Sequence, residues 1–267
     1  MATQAPPASN TPLTETPDAI VVRFAGDSGD GMQLTGGQFT LSTALAGNDL
    51  ATFPDFPAEI RAPQGTLFGV SAFQINFGSR QINTAGDAPD VLVAMNPAAL
   101  KVNLPALKPG GLVIVDTGEF TKRNLDKAKY DANPLDDDTL APFDVLAFDI
   151  SARTLEAVEP FGLGKKDGLR CKNMWTLGLA LWMFDRPRQP LHDWLNKKFA
   201  KAPDIAAANI AAQQGCRRLE QRWGRRIAVG IAGRVLRHLP VPFVSDPRSA
   251  SGRIAGECSL KVSLGKI

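Results

Sequence analysis

Four short apolar runs, each closed by a polar or glycine-bearing turn and separated by helical patterns, constrain this 267-residue chain more than any other feature. They are Ala19–Ala25 (AIVVRFA), Val91–Asn96 (VLVAMN), Leu112–Asp116 (LVIVD) and Asp144–Asp149 (DVLAFD). Runs this short and this rich in Val, Leu, Ile and Phe suit strands covered on both faces, as in a parallel sheet. Met32–Leu45 and Pro97–Leu107 read as helices after the first two runs, with Pro97 at a first helical position where its missing N–H costs nothing. Gly69–Gly78 (GVSAFQINFG) alternates apolar and polar residues and predicts an antiparallel or edge strand. Strands alternating with helices give an α/β chain with a Rossmann-like, doubly wound sheet.

Beyond Ser151 the pattern turns helical, with segments at Arg153–Val158, Lys172–Phe184, Pro190–Phe199 and Asp204–Gln213. Asn173–Phe184 (NMWTLGLALWMF) is apolar on nearly all sides, so it belongs either in the core or against another subunit. Hydrophobic content of 44% and charged content of 21% are those of a globular chain. No run approaches the roughly 18 apolar residues that span a bilayer, so no membrane association is expected. Residues 1–18 read as a flexible tail rich in Pro, Thr, Ala and Ser, without the basic and apolar regions of a signal peptide. Cys171, Cys216 and Cys258 form no CxxC pair, which gives no disulfide framework and no local metal or iron–sulfur site. A cytoplasmic, reducing setting is expected.

The clearest candidate site is the junction Gly26-Asp27-Ser28-Gly29-Asp30-Gly31, where the first strand runs into the helix beginning at about Met32. Glycines there let the backbone turn sharply and approach a ligand, and the helix start offers unpaired N–H groups to an anion. The bland alternative is a tight turn and nothing more, since the spacing is not the dinucleotide G-x-G-x-x-G. Asp27 and Asp30 repel an anion unless they point away, cap the helix or accept from a ribose hydroxyl; Asp30 is assigned the cap. Gly26, Ser28, Gly29, Asp30 and Gly31 are therefore the candidate binding residues. Asn96 joins them from a strand end on the same crevice, as does Arg61 from the proline-stiffened loop Phe53–Gly65. Arg61 has a plainer reading as the surface partner of Glu59. Asp90, Asp116 and Asp149 also stand at strand ends, where either a crevice or ordinary turn chemistry accounts for them. Lys165, Lys166, Arg170 and Lys172 make a basic cluster, either solvated or set to meet phosphates or an acidic partner. His192 and His238 stand apart from carboxylates and cysteines, so no catalytic residue is assigned. No Ser-His-Asp order, metal cluster or P-loop is present, and the residues alone reach an α/β anion-binding domain.

Longer strings carry a resemblance. RFAGDSGDGMQLTGGQF (Arg23–Phe39), FPDFPAEIRAPQGTLFGVSAFQINFGS (Phe53–Ser79), NPAALKVNLPALKPGGLVIVDTGEFTKRNL (Asn96–Leu125), NPLDDDTL (Asn133–Leu140) and RCKNMWTLGLALWMFDR (Arg170–Arg186) are similar to the alpha subunit of 2-oxoacid:ferredoxin oxidoreductases of the 2-oxoglutarate type. The likeness runs from about Ala19 to Ala212. It implies a gamma domain that helps to seat coenzyme A (CoA) in the oxidative decarboxylation of a 2-oxoacid to an acyl-CoA. It further implies a beta subunit and ferredoxin as partners. Thiamine diphosphate and an iron–sulfur cluster would belong to the parent complex and not to this chain.

The likeness stops where the charge changes. Residues 1–214 hold 19 Lys/Arg against 24 Asp/Glu, whereas residues 215–267 hold 11 against 3, giving −5 and +8. From Gln213 the chain reads QQGCRRLEQRWGRRIAVG where such subunits continue towards a thiamine domain. The expected division is therefore a tail at 1–18, a gamma domain at 19–212, and a basic, non-native or disordered tail at 213–267. A truncated or frameshifted subunit, inactive by itself, follows from this. Two alternatives stand beside it. One is a non-catalytic interaction or nucleic-acid-binding protein using the Arg-rich tail. The other is a Rossmann-type dehydrogenase, against which the absent G-x-G-x-x-G counts.

Overall fold

From the N-terminus, β1 (Ala19–Asp27) leads through the glycine turn into α1 (Met32–Leu45), and β2 (Asp49–Asp55) and β3 (Val70–Gly78) follow. Next come β4 (Val91–Ala94), α2 (Pro97–Asn103), β5 (Leu112–Asp116), α3 (Lys122–Lys127) and β6 (Asp144–Phe148). The helices α4 (Ile150–Val158), α5 (Lys165–Leu169), α6 (Lys172–Met183), α7 (Gln189–Lys198) and α8 (Pro203–Gln214) complete the order. The computed structural model describes residues 18–59 and 62–216. Arg61, His238, Cys258 and the Arg-rich tail from residue 217 lie outside the described residues, as does the N-terminal segment 1–17.

The strands pair in the order β2-β3-β1-β4-β5-β6. β1, β4, β5 and β6 are mutually parallel, and β3 runs antiparallel to both β1 and β2. All strands but β3 thus point the same way, and the four apolar runs form the parallel block. Period-two alternation sorts their side chains into two cores. Ile20, Val22 and Phe24 of β1, with Val91, Val93, Leu112 and Ile114, face the core covered by α1, α4, α6, α7 and α8. Ala25, Leu92, Ala94, Val113 and Val115 face a smaller core with Ala98, Ala99 and Leu100 of α2. Helices lie on both faces, as the α/β, doubly wound reading expects.

Helix α6 is buried along its length except at Trp182, and it is buried inside this chain, against α1, α4 and α8. Gly178 permits that approach, because a side chain there would run into the backbone carbonyl of Gln213. Phe39 of α1 meets Phe24, Phe77 and Phe184 edge-to-face, each at 5.6 Å between ring centres.

Several boundaries differ from the sequence reading. Phe53–Asp55 belongs to strand β2 and not to a loop; Pro54 is tolerated because β2 is the edge strand and pairs only with β3. β3 is antiparallel as expected, but it sits inside the sheet with every residue buried. α2 stops at Asn103 and gives way to a 3₁₀ turn at Leu104–Ala106, since Pro105 has no N–H to continue the helix. α4 begins at Ile150, where Asp149 accepts from the Ala152 N–H at 2.8 Å. α8 continues to Gln214, and Gln213 and Cys216 are buried.

Candidate functional site

The chain leaves β1 towards β3 and β2 on one side and returns to β4 on the other. A crevice therefore opens at the C-terminal ends of β1 and β4, the usual ligand position in open α/β sheets. The glycine turn forms one wall. Within it the Asp30 N–H donates to the Asp27 carbonyl at 2.9 Å, and the Ser28 N–H donates to the Gly69 carbonyl at 3.1 Å. Gly31, with φ 73°, takes the N-cap position of α1 in left-handed backbone, where an L side chain is strained. A Cβ on Gly31 would also lie 2.5 Å from Asn173 Nδ2, and one on Gly26 would lie 2.9 Å from Asp30 Oδ2. Gly29 is different. A Cβ there meets only Gln64 Nε2, at an ordinary 3.5 Å, and the residue is exposed towards the crevice.

Asp30 does not cap the helix. With Gly31 in the cap position, Asp30 stands one residue too early, and its Oδ2 reaches back to accept from the Asp27 N–H at 2.9 Å. The Asp27 carboxylate accepts from the Gly65 N–H at 3.0 Å, tying the turn to the loop ahead of β3. Burial, and then the charge of Asp30, push the Asp27 pKa up to about 6, against the pull of Gly65, Asn96 and Lys172. Burial likewise raises Asp30, opposed first by Lys172.

Lys172 opens α6 and is 7% exposed. Its ammonium lies 2.9 Å from Glu119 Oε1 and 3.4 Å from Asp116 Oδ2. Burial by itself pulls the Lys172 pKa down, but the charges of Asp30, Asp116 and Glu119 outweigh it and hold the group above its ordinary value. Asp116, fully buried at the end of β5, accepts from the Ile150 N–H and the Ser151 hydroxyl, both at 2.9 Å. Its carboxyl is raised by burial, with Lys172 and Ser151 opposing. The other two strand-end aspartates are elsewhere. Asp149 serves as the α4 cap. Asp90 precedes β4, at the N-terminal ends of the strands and away from the crevice, accepting from the Val21 N–H at 2.8 Å and pairing with Lys108 at 2.6 Å.

Asn96 caps α2 through Oδ1, which accepts from the Ala99 N–H at 2.8 Å, and it reaches Asp27 and Asp30 in the crevice. The crevice comprises two adjoining clefts. One, of about 260 Å³, is bordered by Asp27, Asn96, Glu119, Arg123 and Lys127; the other, of about 440 Å³, by Gly29, Lys166, Arg170 and Asn173. Asp30, Gln64, Glu119 and Lys172 border both. The site thus has an acidic floor neutralised in part by Lys172, beneath a rim of Arg123, Lys127, Lys166 and Arg170. Of the residues marked in the sequence, Gly29, Asp30 and Asn96 border the clefts, whereas Gly26, Ser28 and Gly31 border neither, and Ser28 spends its N–H on Gly69. Glu119, Gln64, Arg123 and Lys127 carry no signal in the sequence that marks them. Lys172 does: a lysine opening a helix that is otherwise apolar all round requires a buried counter-charge. His192, far from this crevice in sequence, lies 2.9 Å from Gln213 Oε1 between α7 and α8.

The sequence profile of the pyruvate ferredoxin/flavodoxin oxidoreductases matches residues 21–217. The chain belongs to that family. It is 57% identical over 193 residues to the 2-oxoglutarate oxidoreductase subunit KorA of Mycobacterium tuberculosis, covering 72% of this chain and 30% of that one. It is 33% identical over 112 residues to the gamma subunit common to the pyruvate and ketoisovalerate oxidoreductases of Thermococcus litoralis, covering 41% of this chain and 58% of that one. Among solved structures, a 2-oxoglutarate:ferredoxin oxidoreductase from Magnetococcus marinus, with 2-oxoglutarate, coenzyme A and succinyl-CoA bound, shares the fold. The TM-score is 0.59 at 24% identity, over 77% of this chain and 31% of that one. The chain spans less than a third of the mycobacterial and Magnetococcus proteins it matches. Among the described residues no helix is long and apolar enough to cross a membrane, and no group of three or more His, Cys, Asp or Glu could hold a metal ion.

Proposed function

We propose that this chain is the CoA-handling gamma portion of a 2-oxoacid:ferredoxin oxidoreductase subunit, of the type acting on 2-oxoglutarate. The observation that carries the reading is Gly29, an exposed glycine that nothing in the protein requires, beside the cationic Lys166 and Arg170. A ligand backed against this turn explains why no side chain stands there. The division of charge matches the chemistry of CoA. Phosphates meet Lys166, Arg170 and the turn, while hydroxyl and amide donors point to Asp27, Asp30 and Glu119, which as carboxylates only accept.

In the assembly so proposed, a beta subunit and the rest of the alpha subunit supply thiamine diphosphate and an iron–sulfur cluster, and ferredoxin takes the electrons. Their chemistry is decarboxylation and electron transfer, with CoA receiving the acyl group. The donors among the described residues do not fit an iron–sulfur cluster. Cys171 and Cys216 are both buried, and the described residues offer no group of three metal ligands. The share of this chain is to hold CoA and exclude water around it.

Two measurements test the reading. The purified chain should show no 2-oxoacid-dependent reduction of ferredoxin or dye, even with thiamine diphosphate and CoA added; turnover would overturn it. Calorimetric titration at low salt should show CoA binding that Gly29→Val weakens at least tenfold, about 1.4 kcal/mol, with the fold intact. Equal affinity in the two proteins would make the turn purely structural and move the CoA contacts to the Arg61 loop or Asn96.

A further inference from the structure

Beside the crevice, α1, α6, α7 and α8 enclose an apolar groove of about 320 Å³ that the proposed chemistry does not use. Leu34, Met174, Trp194, Leu195, Phe199 and Ile205 border it. Three polar features distinguish it from an ordinary surface hollow. Asn173 is 9% exposed, and its Oδ1 is buried without a hydrogen-bond partner, whereas its Nδ2 lies over Gly31. An orphaned acceptor in an apolar site calls for an N–H or O–H donor from a ligand. Lys198 holds its ammonium 4.6 Å from the centre of the Trp194 ring, putting a cation at the groove. Arg170 and Asn173 border both the groove and the 440 Å³ cleft, so one ligand can pass from the first to the second.

We propose that this groove receives the adenine end of CoA, an inference that rests on the reading of the chain as a CoA-handling domain. A purine suits these walls. Its flat faces are apolar enough to lie among Trp194, Phe199 and the aliphatic side chains, and base–aromatic contact is a general source of nucleotide affinity. Its exocyclic amine supplies the donor that Asn173 Oδ1 lacks. The 3′-phosphate then meets Lys198. The diphosphate crosses Arg170 towards Gly29 and Lys166, and the pantetheine arm runs on over the acidic floor. Charge complementarity favours an anionic occupant, because Arg170 and Lys198 border the cavity against a single carboxylate, Asp167, which pairs with Arg170 at 3.0 Å.

The test titrates the full 267-residue chain with three probes: CoA, adenosine 3′,5′-bisphosphate and 4′-phosphopantetheine. The variant Ile205→Trp fills the groove from a position that is 40% exposed, so the fold tolerates it, and an unchanged melting curve verifies this. The expected result is a loss of tenfold or more for CoA and for the bisphosphate, with 4′-phosphopantetheine unaffected. Lys198→Gln, which adds no bulk, should weaken the same two probes severalfold, more at low salt than at high. It carries the test by itself if the tryptophan variant does not fold. If CoA binds both variants as it binds the wild type, the groove does not hold adenine, and the CoA reading survives. If 4′-phosphopantetheine suffers as much as the bisphosphate, the ligand lies the other way round and the placement is overturned. If none of the probes binds the wild-type chain, this inference and the CoA reading fall together.

Discussion

Replacing Lys172 by methionine is expected to cost about 3–5 kcal/mol of stability at neutral pH, because it leaves buried carboxylates without their counter-charge. Methionine matches the length and packing of the lysine stem, so the loss isolates the charge. The ammonium touches Glu119 and Asp116 and stabilises Asp30 at longer range. The pH dependence follows from the direction of each shift. The Lys172 pKa is raised on folding, so its contribution is present below the ordinary lysine value and fades only as pH rises through the higher folded one. On the acid side, Asp30 and Asp116 already have raised pKa values, and losing Lys172 raises them further. They then take up protons, and a neutral carboxyl no longer needs a cation. The gap between wild type and variant should therefore be widest near pH 7–8 and close towards pH 4, read from urea midpoints at constant ionic strength. A uniform loss below about 1 kcal/mol across that range is what a solvated surface pair gives, and it would refute the buried network.

β1, β4 and β5 are legible because burial on both faces writes a near-continuous apolar run into each of them. β6, the strand at the other edge, buries only Leu146 and Phe148 yet carries a similar run, and α1 follows its glycine turn over the same residues that the periodicity marks. β2 was not legible for the opposite reason. As an edge strand with four exposed and three partly exposed residues, Asp49–Asp55 experiences little burial pressure, and its proline argues locally for a loop. β3 misleads in a third way. Its polar residues alternate as if one face met water, yet Gln74 and Asn76 are buried. Their side-chain amides donate to backbone carbonyls of Thr84, Ala85 and Gly86 in the segment leading to β4. Alternation records polarity, and a strand covered by hydrogen-bonding backbone looks the same as one facing solvent.

The site divides along the same line. Glycine spacing and strand ends are local properties, so the turn and Asn96 could be placed from sequence. Charge pairing is not local. Lys172 stands next to Lys165, Lys166 and Arg170 in the chain and reads there as one of a basic cluster. The start of α6 turns it inwards to carboxylates 53 and 56 residues away, while Lys165 and Lys166 stay exposed. Residue type points to Asp30 as the helix cap, but Gly31, able to hold left-handed backbone, moves the cap one position along.

Asp27 supplies the second large effect, and it runs in the opposite direction from the lysine. Asp27→Asn should stabilise the protein above pH 7, because the native fold holds a carboxylate where it prefers a neutral group. The folded pKa is about 6 against an ordinary 3.8, raised by burial and by Asp30. A raised acid binds its proton more tightly in the folded state than in the unfolded one. Its contribution to stability is therefore full below the unfolded value and is lost as pH rises through about 6. Asparagine has no such titration. It also keeps an amide oxygen in place to accept from the Gly65 N–H, as the carboxylate does at 3.0 Å. With partial solvation allowed for, the variant should exceed wild type by about 2 kcal/mol at pH 8 and show little or no advantage at pH 4. Denaturation midpoints at half-unit pH steps would show the gap between variant and wild type opening between those limits, the titration of Asp30 and Asp116 being common to both proteins. Superimposable pH profiles would mean that water or a neighbouring cation relieves Asp27. The crevice floor would then be less acidic in effect than its residues imply, and the donors of a bound CoA would gain correspondingly less from pointing towards it.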